Sequence, residues 1–329
     1  GPVGTLDVKA GALDLDQLVA FASDFVEGSA QPARADGAPG TGTTAGVQTS
    51  STVAETDLTI SIAADRATMS GVALERVSGK ARLQGTRLTL DPMQFGLFGG
   101  TYEGALGAAL TEPPSFSWKA ALKNVDVAAV TAFAGNPGVV TGRLAATIDL
   151  VGTGIDAATA LKTARGSALV SITNGVVQNL ALVKSAVAAT SLNPQAVIAS
   201  SQGDRDEPFS EMGATLAIAS GTASTQDLRF VSKDILLNAG GGLRLDGTAV
   251  TLQGALQMSE ELSKQANGTV VRVTQQDGRI TLPATVRGTA GKYSIEIDTA
   301  GMAKRALTNE AKAQSQQAIT RGIGRLLGR

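Results

Sequence analysis

The feature that most constrains this chain is a two-residue period of apolar side chains that returns from Thr56 nearly to the C-terminus. Leu58, Ile60 and Ile62 alternate with Thr59 and Ser61. The rhythm recurs at Val77 to Leu83, at Leu88 and Leu90, at Leu106, Ala108 and Leu110, and at Trp118, Ala120 and Leu122. Leu144, Ala146, Ile148 and Leu150 continue it, followed by Ala168, Val170 and Ile172. Leu216 and Ile218, Leu228 and Phe230, Ile235 and Leu237, and Leu243 and Leu245 extend it further. Val250, Leu252, Leu256 and Met258 precede the closing runs, Ile280 to Val286 and Tyr293 to Ile297. Successive side chains of a strand point to opposite faces, so each segment has one apolar and one polar face. That is the pattern of an antiparallel sheet wetted on one side.

Punctuation supports the same reading. Gly99-Gly100, inside the aromatic stretch from Phe95 to Tyr102, reads as a tight turn or bulge. Asn174-Gly175 is a strong turn signal that ends one strand, and Gly240 to Gly242 and Asp246-Gly247 divide later strands into hairpins. Pro283 predicts an edge or bulge position. Helices are few: 125–134 capped by Asn124 or Asp126, 156–164 opened by Asp156, 179–190, and a short one near 259–266.

Composition removes much chemistry. With no Cys and no His, the chain lacks thiol nucleophiles, disulfides, the commonest zinc ligands and the usual general base. The carboxylates of Asp204 to Glu207 and Glu260-Glu261 fall in polar segments without a convergent pattern, so an enzyme is the least favoured class. No cofactor or metal is expected. A net charge of −1 gives no electrostatic footprint for nucleic acid.

Five segments follow from these patterns. Gly1-Pro2 reads as the remnant of a cleaved tag. Residues 3–28 lead into the sheet and include a helical stripe at Leu15, Leu18, Phe21, Ala22, Phe25 and Val26. Residues 29–52 are a Gly, Ser, Thr, Ala and Pro linker. Residues 53–300 form the β domain, and residues 301–329 a basic amphipathic helical tail bearing Ile319, Ile323, Leu326 and Leu327.

Roughly fourteen strands at about 4.8 Å would make a sheet some 65 Å across. A sheet that wide curls or splits into layers. One outcome is an ordinary packed sandwich. The other is a curled, half-open sheet whose apolar concave face must hold something apolar, and acyl chains suit such a trough at about 0.8 kcal/mol per buried CH₂.

The order of the segments resembles the C-terminal region of the AsmA-like proteins. The resemblance rests on Phe98-Gly99-Gly100-Thr101-Tyr102-Glu103-Gly104, then Pro113-Pro114, then Leu122-Lys123-Asn124-Val125-Asp126-Val127 leading into a helix. Thr141-Gly142-Arg143-Leu144 follows, running to Leu150-Val151-Gly152-Thr153-Gly154, with Val170 to Gly175 after it. Leu282-Pro283-Ala284-Thr285-Val286-Arg287-Gly288-Thr289 resembles the family's closing strand, giving coverage of about residues 53 to 300. Val176-Val177-Gln178-Asn179-Leu180 departs from the family pattern.

The resemblance implies a long, mainly β groove, related to bridge-like lipid transfer proteins. It also implies a location in the periplasm of a Gram-negative bacterium, with an inner-membrane anchor upstream of the chain. The expected work is carrying phospholipid or another envelope lipid between inner and outer membranes. The alternative is a structural or assembly factor for outer-membrane proteins, and no catalytic residues carry over. Groove candidates are Leu88, Leu90, Phe95, Phe98 and Leu106, then Leu144, Ile148, Leu150, Val170 and Ile172, and finally Leu216, Ile218, Leu243, Leu245, Leu252 and Leu256. The tail residues Ile319, Ile323, Leu326 and Leu327 would dock on the sheet's open end or lie on a membrane, bringing the C-terminal end to the outer membrane or its proteins.

Overall fold

A computed structural model describes residues 3–17, 57–154, 156–180, 182–190, 206–265, 275–276, 279–289 and 292–298. The rest of the helix expected after Leu15, the 29–52 linker and the 301–329 tail lie outside the described residues, and so do Ile319, Ile323, Leu326 and Leu327. The protein is mainly β, with one sheet not closed into a barrel and a few short helices. The sandwich alternative is therefore not what forms. Two compact units divide the chain, Gly1–Val125 with Ala145–Gly166, and Asp126–Leu144 with Ser167–Arg329.

The strands lie side by side in chain order. They are β1 (Val3–Asp14), β2 (Asp57–Met69), β3 (Val72–Gln84), β4 (Arg87–Leu97), β5 (Gly100–Ala109), β6 (Ser115–Asp126), β7 (Arg143–Thr153) and β8 (Arg165–Val177). β9 (Glu207–Ala219), β10 (Thr222–Val231), β11 (Ile235–Arg244) and β12 (Val250–Met258) follow, and β12 pairs with β14 (Arg279–Thr289). The two-residue β13 (Gln275–Gln276) and β15 (Lys292–Ile297) both pair with β14. Short connections make hairpin neighbours of β2 to β6 and of β9 to β12, so within these runs sequence order survives as spatial order.

The first pair departs from expectation. β1 and β2 run parallel, with Leu6 beside Ile60 and Val8 beside Ile62. Residues 15–56 provide the long connection that a parallel pair requires and a hairpin cannot supply.

Three turn readings are corrected. The β4–β5 turn is Phe98-Gly99, with φ of 45° and 73°, and Gly100 already belongs to β5. Two successive positive φ values define the type I′ hairpin turn, whose twist matches the flanking strands. Asn174-Gly175 does not end a strand, because β8 runs through it to Val177 with Asn174 at φ 52°. Gly240 to Gly242 lie inside β11 rather than between hairpins, paired with Thr251 to Gln253 of β12. Asp246-Gly247 is the real turn, held by Asp246 accepting from the Thr248 amide at 3.0 Å.

Pro283 sits inside β14 opposite Ala255. Its carbonyl accepts from Asp298 N just beyond the end of β15, so the ring's missing N–H falls where that pairing stops. β14 is thus not the edge strand expected; the proline is tolerated where the β15 pairing ends.

The short helices are α1 (Val127–Phe133), α2 (Ala157–Thr163), α3 (Leu182–Thr190) and α4 (Glu260–Gln265). Asp126, not Asn124, caps α1 by accepting from Ala128 N and Ala129 N, while Asp156 caps α2 through Thr159 N.

Candidate functional site

In the first unit, cross-strand registers align the apolar side chains into rows. One row runs Leu6, Ile60, Ala81, Leu90, Leu106 and Trp118 across six strands. A second runs Leu58, Leu83, Leu88, Ala108 and Phe116, and a third Val8, Ile62, Gly79, Met93, Gly104 and Ala120. Directly opposed residues share a face, so the rows form one continuous apolar surface. The alternate residues make the polar face, with Thr59, Arg82, Thr89 and Ser117 in register. Arg82 there donates two hydrogen bonds to Asp57, at 3.1 and 2.9 Å, and lowers its carboxyl pKa.

Burial is graded along the strands. At one end Ala64, Ala67, Leu74 and Val77 are sealed, with Phe95, Leu97, Leu13 and Leu15 packed against them. Toward the other end Leu58, Leu83, Leu88, Leu90, Leu106, Phe116 and Trp118 are only half-buried. Apolar side chains of this size pack fully when an element covers them, so the face remains open among the described residues.

Aromatic residues mark the boundary between sealed and open rows. Phe95 and Tyr102 stack with centroids 4.3 Å apart and rings 5° from parallel. A Cβ at Gly104 would stand 2.6 Å from the Tyr102 hydroxyl, so the Tyr102 ring lies along the sheet over that glycine. Trp118 Nε1 donates to Tyr102 Oη at 2.9 Å. Burial is the larger influence on Tyr102 and raises its pKa, against the hydrogen bond from Trp118. The Tyr102 hydroxyl oxygen thus satisfies the only polar hydrogen of the Trp118 ring. Across all described residues, no group of His, Cys, Asp or Glu could hold a metal ion.

The second unit has a sealed core of its own. Leu237, Leu256 and Leu282 stand in one row, and Phe230 pairs with Leu237. They are sealed with Leu182 and Ala186 of α3 in one core. Phe209 packs over Gly175, where a Cβ would meet the ring at 2.4 Å. Further along the strands Leu243 is 36% exposed, beside the buried Ala223 and the half-buried Val250.

The candidates divide accordingly. Leu88, Leu90 and Leu106 lie on the half-exposed face of the first unit, and Phe95 at its packed margin. Phe98 is a turn residue and belongs to no row. Leu144, Ile148 and Leu150 alternate on β7 with exposed neighbours, and Leu150 is buried. On β8, Val170 is half-exposed while Ile172 packs against the second unit's core. Leu216, Leu243, Leu245 and Leu252 keep some exposure, whereas Ile218 is buried and Leu256 has 0% exposure within the core. Sequence reasoning left out Leu58, Ile60, Leu83, Met93, Phe116, Trp118 and Tyr102. Their apolar alternation was visible, but register decides which of them meet.

A family model described as the AsmA family matches residues 8–228, about two thirds of the chain. The matched span runs from within β1 into β10, so it contains the three rows except for the first residue of one of them, Leu6. No curated protein and no solved structure matches the chain. AsmA is not known as an enzyme family, and membership is consistent with envelope lipid-transport or assembly roles. On this match the chain belongs to the AsmA family.

Proposed function

We propose that the protein is a periplasmic lipid carrier, anchored in the inner membrane, that moves phospholipid between inner and outer membranes along the apolar face of its sheet. The observation that carries this reading is the half-exposed face of the first unit. A row crossing six strands spans roughly 24 Å at about 4.8 Å per strand. One bilayer leaflet holds about 15 Å of hydrocarbon, so an acyl chain fits along a row. Each CH₂ transferred from water contributes about 0.8 kcal/mol, and a chain lying there would remove both surfaces from water. Specificity for the acyl part then needs only shape, which agrees with a face where the Trp118 N–H already has Tyr102 as its acceptor.

Extraction and mass spectrometry of the purified chain test this, together with transfer of a fluorescent phospholipid between liposomes. Bound glycerophospholipid and catalysed transfer are expected. Lipid-free protein that captures outer-membrane protein precursors in crosslinking would replace this reading with the assembly role.

A further inference from the structure

We propose that the open face of the first unit selects lipids by the number of their acyl chains: it takes two, one along each of two rows, and Tyr102 with Trp118 closes the place of a third. This selection rests on the lipid-carrier reading and adds to it which lipids the face admits. Successive rows stand two residues apart along the strands, roughly 7 Å, which is room for one extended hydrocarbon chain in each. The row through Ile60, Leu90 and Trp118 and the row through Leu58, Leu88 and Phe116 run without interruption from β2 to β6. Their side chains are half-buried throughout.

The third row differs. It starts alike, with Ile62 and Met93 half-buried, but on β5 and β6 it reaches Gly104 and Ala120. Ala120 is buried there. Tyr102, two residues away on β5, lays its ring back over Gly104, where a Cβ would stand 2.6 Å from the hydroxyl oxygen and 2.9 Å from the ring carbon that carries it. The hydroxyl reaches Trp118 in the neighbouring row, whose Nε1 donates to it at 2.9 Å. Ring and hydrogen bond make a wall across the third row, and the Phe95 ring stacked at 4.3 Å holds that wall in place.

The wall matters by comparison with a donor bilayer, where every acyl chain is already out of water. A two-chain lipid moved onto the face keeps both chains dry and fills both open rows. A one-chain lipid leaves one row wet. A four-chain lipid leaves two chains in water, a loss that grows with each CH₂. Chain number is thus discriminated without a polar contact to the lipid.

Native mass spectrometry tests this on the 329-residue chain after incubation with vesicles holding equal moles of lysophosphatidylglycerol, phosphatidylglycerol and cardiolipin, all oleoyl. Circular dichroism verifies each fold. The parent should carry the two-chain lipid at least about tenfold over either of the others. Tyr102→Leu, too short to cover Gly104, should raise the share of cardiolipin about fivefold. Ala81→Phe and Ala108→Phe each place a ring in one open row and should shift the preference about tenfold toward the one-chain lipid. These two variants decide the matter if Tyr102→Leu does not fold. Cardiolipin carried as well as phosphatidylglycerol by the parent, or a preference unmoved in the folded variants, would overturn chain-number selection and leave the carrier reading standing. Protein that takes up none of the three lipids would withdraw the carrier reading itself, and this selection with it.

Discussion

Glycine and aromatic residues work as pairs at the finest scale. Gly104, Gly152 and Gly175 each carry a ring where a side chain would otherwise stand: Tyr102, Phe116 and Phe209 respectively. A chain only 3% aromatic therefore places several of its rings flat on the sheet. Gly104→Ala should cost about 1–3 kcal/mol by urea unfolding, because the new Cβ would stand 2.4 Å from the Lys119 carbonyl and collide with the Tyr102 ring. Gly11→Ala is the control, with nothing within 4 Å, and should stay within about 0.5 kcal/mol. Tyr102 also carries a pH signature. Its pKa is raised in the fold chiefly by burial, and so is that of Tyr293, so the fold prefers both neutral. That stability is complete below the unfolded-state pKa of about 10 and is lost as pH rises through the folded values. Tyr102→Phe should thus lose about 1 kcal/mol at neutral pH, through the missing partner of Trp118, and show a shallower alkaline decline in thermal denaturation.

Elements were the most legible level in the sequence, because the two-residue period and the capping aspartates are local signals. Asp126 and Asp156 stand where the helices start. Asp126→Ala should cost about 1 kcal/mol, read as a lowered unfolding midpoint, by freeing the amides of Ala128 and Ala129. What the period could not supply was parity. Leu88 and Leu90 share a face with Met93 and Phe95 because the register shifts between Leu90 and Met93. Such bulges reset the alternation inside a strand, so even and odd positions exchange sides without a gap in the pattern. Glycine also misled, since Gly240 to Gly242 resembled a turn but serve close strand approach: a Cβ at Gly241 would stand 2.2 Å from the Thr251 carbonyl. Which leucines are core was equally hidden, because sealing depends on α3 lying over the sheet. Leu256→Ala should accordingly cost about 2–5 kcal/mol, against about 1 kcal/mol for the half-exposed Leu90→Ala.

At the scale of the molecule, a sheet with one apolar face open in part is a standing exposure that a protein keeps only for use. The first unit allows that use to be read directly, because the chain's single Trp, Trp118, stands in the central row. A phospholipid brominated along its acyl chain quenches indole fluorescence on close approach, so occupancy of the row reports itself without added label. Two neighbours on β4 separate face from fold. Leu90 lies in that row, paired with Ala81 and Leu106, while Thr89 points to the polar side. Leu90→Asp puts a charge where an acyl chain would lie, and an uncompensated charge in an apolar contact is costly. The expected result is at least about tenfold weaker quenching for Leu90→Asp, corresponding to roughly 1.4 kcal/mol, with Thr89→Asp within about twofold of the parent. Equal effects from both would mean that the acyl chain does not follow the row. Undiminished quenching in Leu90→Asp would place the lipid elsewhere on the molecule and withdraw the open face as its site.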